Sequence, residues 1–143
     1  MFGIFDSKNK KAVKKWEKDH LEIVSLAGNV ISAYATNDEQ KVRDALRILN
    51  KVTTEHLMNE DIEFYKMMRD QKRMTQQTER LIKDFKDSFS GVKLELINFL
   101  TNYSKNDSVI DEDFFKKFNE LVEIVSERIS YEENNLYMLL HKH

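Results

Sequence analysis

The chain has 143 residues, no cysteine, no proline and three glycines, with 23 basic against 25 acidic side chains and a net charge of −2. That length suits a single domain, residues 1–143, able to bury a core without crosslinks. The missing cysteines exclude disulfides, thiolate metal sites and thiol catalysis and suit a reducing, cytoplasmic setting; the balanced charge excludes a field that would draw nucleic acid.

Residues 1–10 read as a short N-terminal arm. Met1-Phe-Gly-Ile-Phe5 is apolar and is followed by Lys8, Lys10, Lys11, Lys14 and Lys15. The apolar run is too short for a signal peptide or a membrane span. Its apolar-then-basic pattern suits docking on a membrane surface or a protein partner, or folding back over its own domain.

Four helices follow. In the first, about Lys11 to Tyr34, Val13, Trp16, His20, Ile23, Ala27, Val30 and Tyr34 recur at spacings of three and four. Asn37 with Gln40 reads as a capping box opening the second, whose stripe is Val42, Leu46, Leu49, Thr53, His56, Glu60, Phe64 and Met67. A polar break spans Arg69 to Met74. The third helix carries Leu81, Phe85, Phe89, Val92, Leu96, Phe99 and Tyr103. Asn102 to Ser108 is a loop rich in Asn, Ser and Asp, and Ser108 or Asp111 caps the fourth helix. There the stripe is Phe115, Phe118, Val122, Val125, Ile129, Glu132, Leu136 and Leu139. Amphipathic helices joined by short loops predict an all-α, antiparallel up-down-up-down four-helix bundle.

Polar residues interrupt these apolar stripes. His20, His56, Glu60 and Glu132 all point toward the seam, where unpaired polar groups are costly. His20 and His56 lie about equally far from the first turn, so at ~1.5 Å per residue their rings fall near one level. Glu60 is one turn beyond His56 on the same face. Counting through the loop near Ser108 brings Glu132 to that level, with Glu133 beside it as an alternative. The third helix offers Phe85, Phe89 and Val92 at that depth and no ligand. His20, His56, Glu60 and Glu132 therefore form a candidate metal set. A metal-free network of His, Glu and Arg, with Arg128 as countercharge, would satisfy the same groups. Tyr65 and Tyr131 flank the set, either as hydrogen-bond donors to its carboxylates or as core aromatics. No activated nucleophile stands beside Asp19-His20, so the reading is a binding protein before a hydrolase.

The second and fourth helices carry a half-repeat. His56-Leu-Met-Asn-Glu60-Asp61 with Phe64-Tyr65 aligns with Arg128-Ile-Ser-Tyr-Glu132-Glu133 with Leu136-Tyr137. The chain reads as two helical hairpins about a pseudo-twofold axis.

At this point the sequence resembles the hemerythrin-like family, the HHE cation-binding domains. The resemblance rests on Asp19-His20 with Ile23, on His56-x-x-x-Glu60, and on Glu132-Glu133-x-x-Leu136-Tyr137, in order over nearly the whole chain. It implies a bundle holding non-haem iron, typically two irons bridged by carboxylates, that binds dioxygen or serves iron, redox or nitric-oxide sensing. It matches His20, His56 and Glu60 to the first-half ligands and Glu132 to the fourth-helix carboxylate. Members with a complete di-iron centre use more histidines than this bundle places at that level. Here His141 and His143 lie too far along the fourth helix, the third helix has none, and Arg128 replaces one. The expectation is a reduced site of one or at most two ions, iron foremost, with manganese or zinc fitting the same donors. Its open positions would take dioxygen or another small diatomic ligand, for sensing rather than bulk oxygen carriage.

Overall fold

The computed structural model describes the backbone of residues 3–70 and 75–138, with side chains from residue 10 onward, Ser88 excepted. Met74, Leu139, His141 and His143, and most of the break before the third helix, lie outside the described residues. Four helices, α1 (Gly3–Ala35), α2 (Glu39–Arg69), α3 (Gln76–Tyr103) and α4 (Glu112–Tyr131), are followed by a π turn at Glu132–Leu136 that continues α4. Each helix packs on the next, and α4 returns to α1. This is the expected all-α, up-down-up-down four-helix bundle. No helix among the described residues is long and apolar enough to cross a membrane.

Helix boundaries follow local chemistry. Residues 3–10, read as an arm, continue α1 as helix, since no proline interrupts them. The cap of α2 is Asp38, whose Oδ1 accepts the Lys41 N–H at 3.2 Å. Asn37, expected to cap, instead takes the left-handed turn that ends α1, with φ 61°. Asp111 caps α4, accepting the Phe114 N–H at 2.9 Å. Ser108 donates instead to the Tyr103 carbonyl at 2.6 Å. Asp111→Ala is expected to cost about 1 kcal/mol, the usual worth of such a cap. A urea titration checks this, and Ser108→Ala should not reproduce the loss through α4.

Several helices are rotated slightly from the sequence reading. Ile82, Leu57, Met68, Phe114 and Leu121 are buried, whereas Leu81 is 47% exposed and His56, Met67, Phe115 and Val122 are half-buried. The cause is plain in the sequence. Leu81-Ile82, Met67-Met68, Phe114-Phe115 and Leu121-Val122 are adjacent apolar pairs, and spacing alone cannot say which member leads when a helix touches two neighbours.

The core is layered. Trp16, Phe64 and Tyr137 form one aromatic cluster, with centroids 5.0 to 6.0 Å apart. Phe99, Phe114 and Phe118 form another toward the opposite end. One turn from the first cluster, α1, α2, α3 and α4 bring Asp19, His20, Glu60, Lys93 and Glu132 into the interior, each at most 8% exposed. This polar layer is the candidate site.

Candidate metal centre

His20, on α1, is 3% exposed and touches two carboxylates. Its Nδ1 lies 3.0 Å from Glu133 Oε2 and its Nε2 lies 3.2 Å from Glu60 Oε2. With the proton on Nδ1 donated to Glu133, the Nε2 lone pair faces the Glu60 carboxylate. Two electron-rich atoms held this close repel unless a proton or a cation lies between them. The Glu60 contact lacks hydrogen-bond alignment, and neither Glu60 oxygen has a hydrogen-bond partner among the described residues.

The π turn explains how Glu133 reaches this point. The Tyr137 N–H donates to the Glu132 carbonyl at 2.8 Å, one residue longer than an α-helical bond. Such turns widen a helix and often mark functional positions. Here neighbouring residues turn inward together. Glu132 and Leu136 are buried with Tyr137, and Glu133 meets His20.

On the far side of the layer stands a residue the sequence reading missed. Lys93, on α3, is 1% exposed. Its ammonium lies 2.5 Å from Asp61 Oδ1, 3.9 Å from Glu132 Oε2 and 4.1 Å from the centre of the Phe89 ring. The buried countercharge is therefore Lys93, not Arg128. Arg128 is half-buried, sits 5.9 Å from the Phe85 ring centre, and forms no ion pair among the described residues. Helical side chains lean toward the N-terminus, which carries Arg128 away from Glu132. The signal for Lys93 was present: Phe89, Lys93, Leu96 and Leu100 are spaced four, three and four, and all four are buried. Reading Val92 as the stripe residue hid it.

His56 lies at the expected level, but its ring turns outward. Its Nδ1 is 3.3 Å from Asp19 Oδ2 and its Nε2 3.9 Å from Glu22 Oε2. Asp19, Glu22 and His56 each offer a ligand atom, all within 4.8 Å of one another. The sequence reading did not include Asp19 or Glu22 as ligands, although Glu22 is one turn from Asp19. Asp19 also acts on the Glu60 carboxyl, so the outer trio adjoins the inner pocket. A cavity of about 490 Å³, bordered by Lys15, His56, Asn59 and Glu60, gives access from solvent. Of the four residues of the candidate set, His20 and Glu60 meet directly. Glu132 shares the layer with them, and His56 stands at its outer edge. Tyr65 packs edge-on against Phe64, and Tyr131 stacks on Phe85 at 4.8 Å; neither bonds to the carboxylates among the described residues.

The electrostatics make the layer hungry for positive charge. Burial raises Glu60 to about 8, a rise the His20 contact only partly offsets. Burial likewise raises Glu132 to about 7, against the opposing pull of Lys93. For His20 burial pulls downward, but the adjacent Glu60 and Glu133 carboxylates and the charge of Glu132 leave it raised. All three shifts hold protons in the metal-free pocket. A divalent cation satisfies the same need. The 3.2 Å between His20 Nε2 and Glu60 Oε2 matches the ~3 Å edge expected for adjacent ligands about 2.1 Å from one ion. Both Glu60 oxygens and Glu132 Oε1 are buried without hydrogen-bond partners among the described residues, as acceptors for such an ion would be. Among the described residues, Asp19, Glu22 and His56 bring three ligand atoms within 4.8 Å of one another, and His20 with Glu60 adds a closely spaced nitrogen and oxygen behind them.

A pH dependence follows. Raised carboxyl pKa values favour the metal-free fold at low pH, and that contribution is lost as pH rises toward 8. Metal binding runs the other way, because ligands must shed protons. The melting-temperature gap between metal-loaded and chelated protein should therefore widen from pH 5 to pH 8. A constant gap over that range would contradict carboxylate ligation.

The family described as Hemerythrin HHE cation binding domain matches residues 11–140. No curated protein and no solved structure matches the chain.

Proposed function

We propose, since the chain belongs to the hemerythrin HHE cation-binding domain family, that it is a cytoplasmic protein holding one non-haem iron for oxygen, redox or iron sensing. The observation that carries this reading is the His20–Glu60 contact: a buried imidazole nitrogen and a carboxylate oxygen 3.2 Å apart without a hydrogen bond. His20 and Glu60 form the centre of the ligand set. Glu133, on His20 Nδ1, fixes the tautomer that leaves Nε2 free to ligate, the carboxylate–histidine pairing that metal sites use. Glu132 and His56 complete the set, His56 by rotating from Asp19 toward the pocket. Manganese and zinc suit the same donors, and the ligand types do not select among them. The bound ion would supply open positions for water or a small diatomic ligand.

The surrounding residues do the rest. Trp16, Phe64 and Tyr137 pack together as an apolar wall on one side of the pocket. The cavity beside His56 and Glu60 admits the ion and its ligand. The basic start of α1 would carry the response to a protein partner or membrane surface.

The sensing role is tested by exposing the iron-loaded protein to nitric oxide or dioxygen and following its visible absorbance. A new band that His20→Ala removes is the expected result. A spectrum indifferent to both gases, with iron still bound, would exclude sensing and leave simple metal binding.

A further inference from the structure

The acidic pairs of α2 and α4 divide their partners in the same way. Glu60 faces His20 while its neighbour Asp61 holds Lys93; Glu133 bonds His20 while its neighbour Glu132 faces Lys93. His20 on α1 and Lys93 on α3 are thus counterparts, each set between one carboxylate from α2 and one from α4. The half-repeat of α2 and α4 produces this arrangement directly, because each copy presents two adjacent acids inward. One difference breaks the symmetry. His20 offers a ring nitrogen 3.2 Å from a carboxylate that can ligate once it sheds its proton, whereas Lys93 fills its half with an ammonium.

We infer that the Lys93 ammonium is a tethered cation standing where a second divalent metal ion would otherwise bind between Asp61 and Glu132, and that it sets the number of metal ions the protein holds. The inference rests on the proposed metal site at His20, but concerns a different pocket. A buried ammonium 2.5 Å from the half-buried Asp61 carboxylate neutralises it without an exchangeable ion. A divalent ion entering the same space would meet a fixed positive charge at contact distance. Lys93 cannot move aside cheaply, since its stem is buried and its charge lies over Phe89. The half is otherwise equipped for a metal. Glu132 Oε1 has no hydrogen-bond partner among the described residues. Asp61 lines a cavity of about 530 Å³ between α2 and α3, with Tyr65, Ile82 and Lys86 on its walls, so one of the two carboxylates is reached from solvent.

The test is metal content per chain after anaerobic ferrous loading and desalting, for wild type, Lys93→His and Lys93→Ala. Lys93→His supplies an imidazole as the counterpart of His20; Lys93→Ala only opens the space. The expected result is about one more equivalent in Lys93→His than in wild type, a smaller gain in Lys93→Ala, and loss of the gain in Lys93→His/Asp61→Asn. Circular dichroism with and without ferrous ion gives a second readout: the Lys93→His fold should become metal-dependent beyond wild type. No gain in either folded variant overturns the inference, as does a gain that survives Asp61→Asn. A variant that ferrous ion fails to fold counts against it equally. The gain over wild type judges Lys93, whereas the wild-type content alone judges the His20 site. The two can therefore fail separately.

Discussion

Chelation should lower the melting temperature of the metal-loaded protein by about 10 °C. A ligand at 100 times its dissociation constant stabilises the native state by about 2.7 kcal/mol, and a domain of this size shifts by roughly 4 °C per kcal/mol. The effect should vanish in His20→Ala and in Glu60→Gln, because these remove the nitrogen and the oxygen that sit 3.2 Å apart. The same site makes a second, less intuitive demand. Without metal, Glu60 is a buried carboxyl raised to about 8 by desolvation, and neither of its oxygens has a hydrogen-bond partner among the described residues. The amide of Glu60→Gln carries no charge to desolvate. Chelated Glu60→Gln should therefore melt at or above chelated wild type, the pattern of a site kept for function at a cost in stability. Calorimetry on six samples, wild type and the two variants each with and without metal, checks both statements. A wild-type melting point unmoved by chelator would remove the first, and a chelated variant melting well below wild type would remove the second.

The largest stability loss is expected at the other half of the layer. Asp61→Ala leaves the Lys93 ammonium buried, with Glu132 3.9 Å away as its remaining anionic partner. Removing one member of a buried ion pair costs about 3–5 kcal/mol, because the survivor stays desolvated and uncompensated. Asp61 is itself 18% exposed, so the lower end of that range is expected. Removing both charges should cost far less. In Lys93→Met/Asp61→Leu the apolar replacements fill the space without an orphaned charge, and the double variant should be more stable than Asp61→Ala. Denaturant titrations of Lys93→Met, Asp61→Leu, the double variant and wild type give the coupling energy. Additive losses would mean that Lys93 and Asp61 are not a functional pair.

The bundle was legible because each helix repeats its apolar residues over several turns and the chain has no proline to interrupt them. What was not legible is instructive. Phe85, Phe89, Leu96 and Phe99 of the third stripe are buried as read, but adjacent residues such as Leu81 and Ile82 carry no information about which one faces inward, and Val92 was taken where Lys93 is buried. That slip concealed Lys93, whose spacing from Phe89 and Leu96 places it in the seam. A lysine on a helix is ordinarily solvated, and only the tertiary contact with Asp61 reveals its burial. Glu132 and Glu133 posed another difficulty. An α-helix turns neighbours about 100° apart, so choosing one as ligand was natural; the π turn lets both face inward. His56 illustrates a third limit. Its level was fixed by counting residues, but the direction of its ring depends on Asp19 and Glu22, one helix away. His20 and Glu60 were readable from their depth and face alone.

The pseudo-twofold relation links these points. The half-repeat in the sequence becomes, in three dimensions, two carboxylate-lined halves around a common layer. One is headed by a histidine and the other by a lysine. On the proposed reading, the split accounts for the short ligand list: the half headed by His20 takes a metal, and the half headed by Lys93 carries its own cation.

The account is tested most directly by elemental mass spectrometry of the untagged protein, purified natively and after anaerobic ferrous loading. It predicts about one equivalent of iron, or of manganese or zinc, per chain, abolished by His20→Ala. No bound metal after loading would contradict it, and would make His20, Glu60 and Glu133 a buried network within a metal-free interaction module.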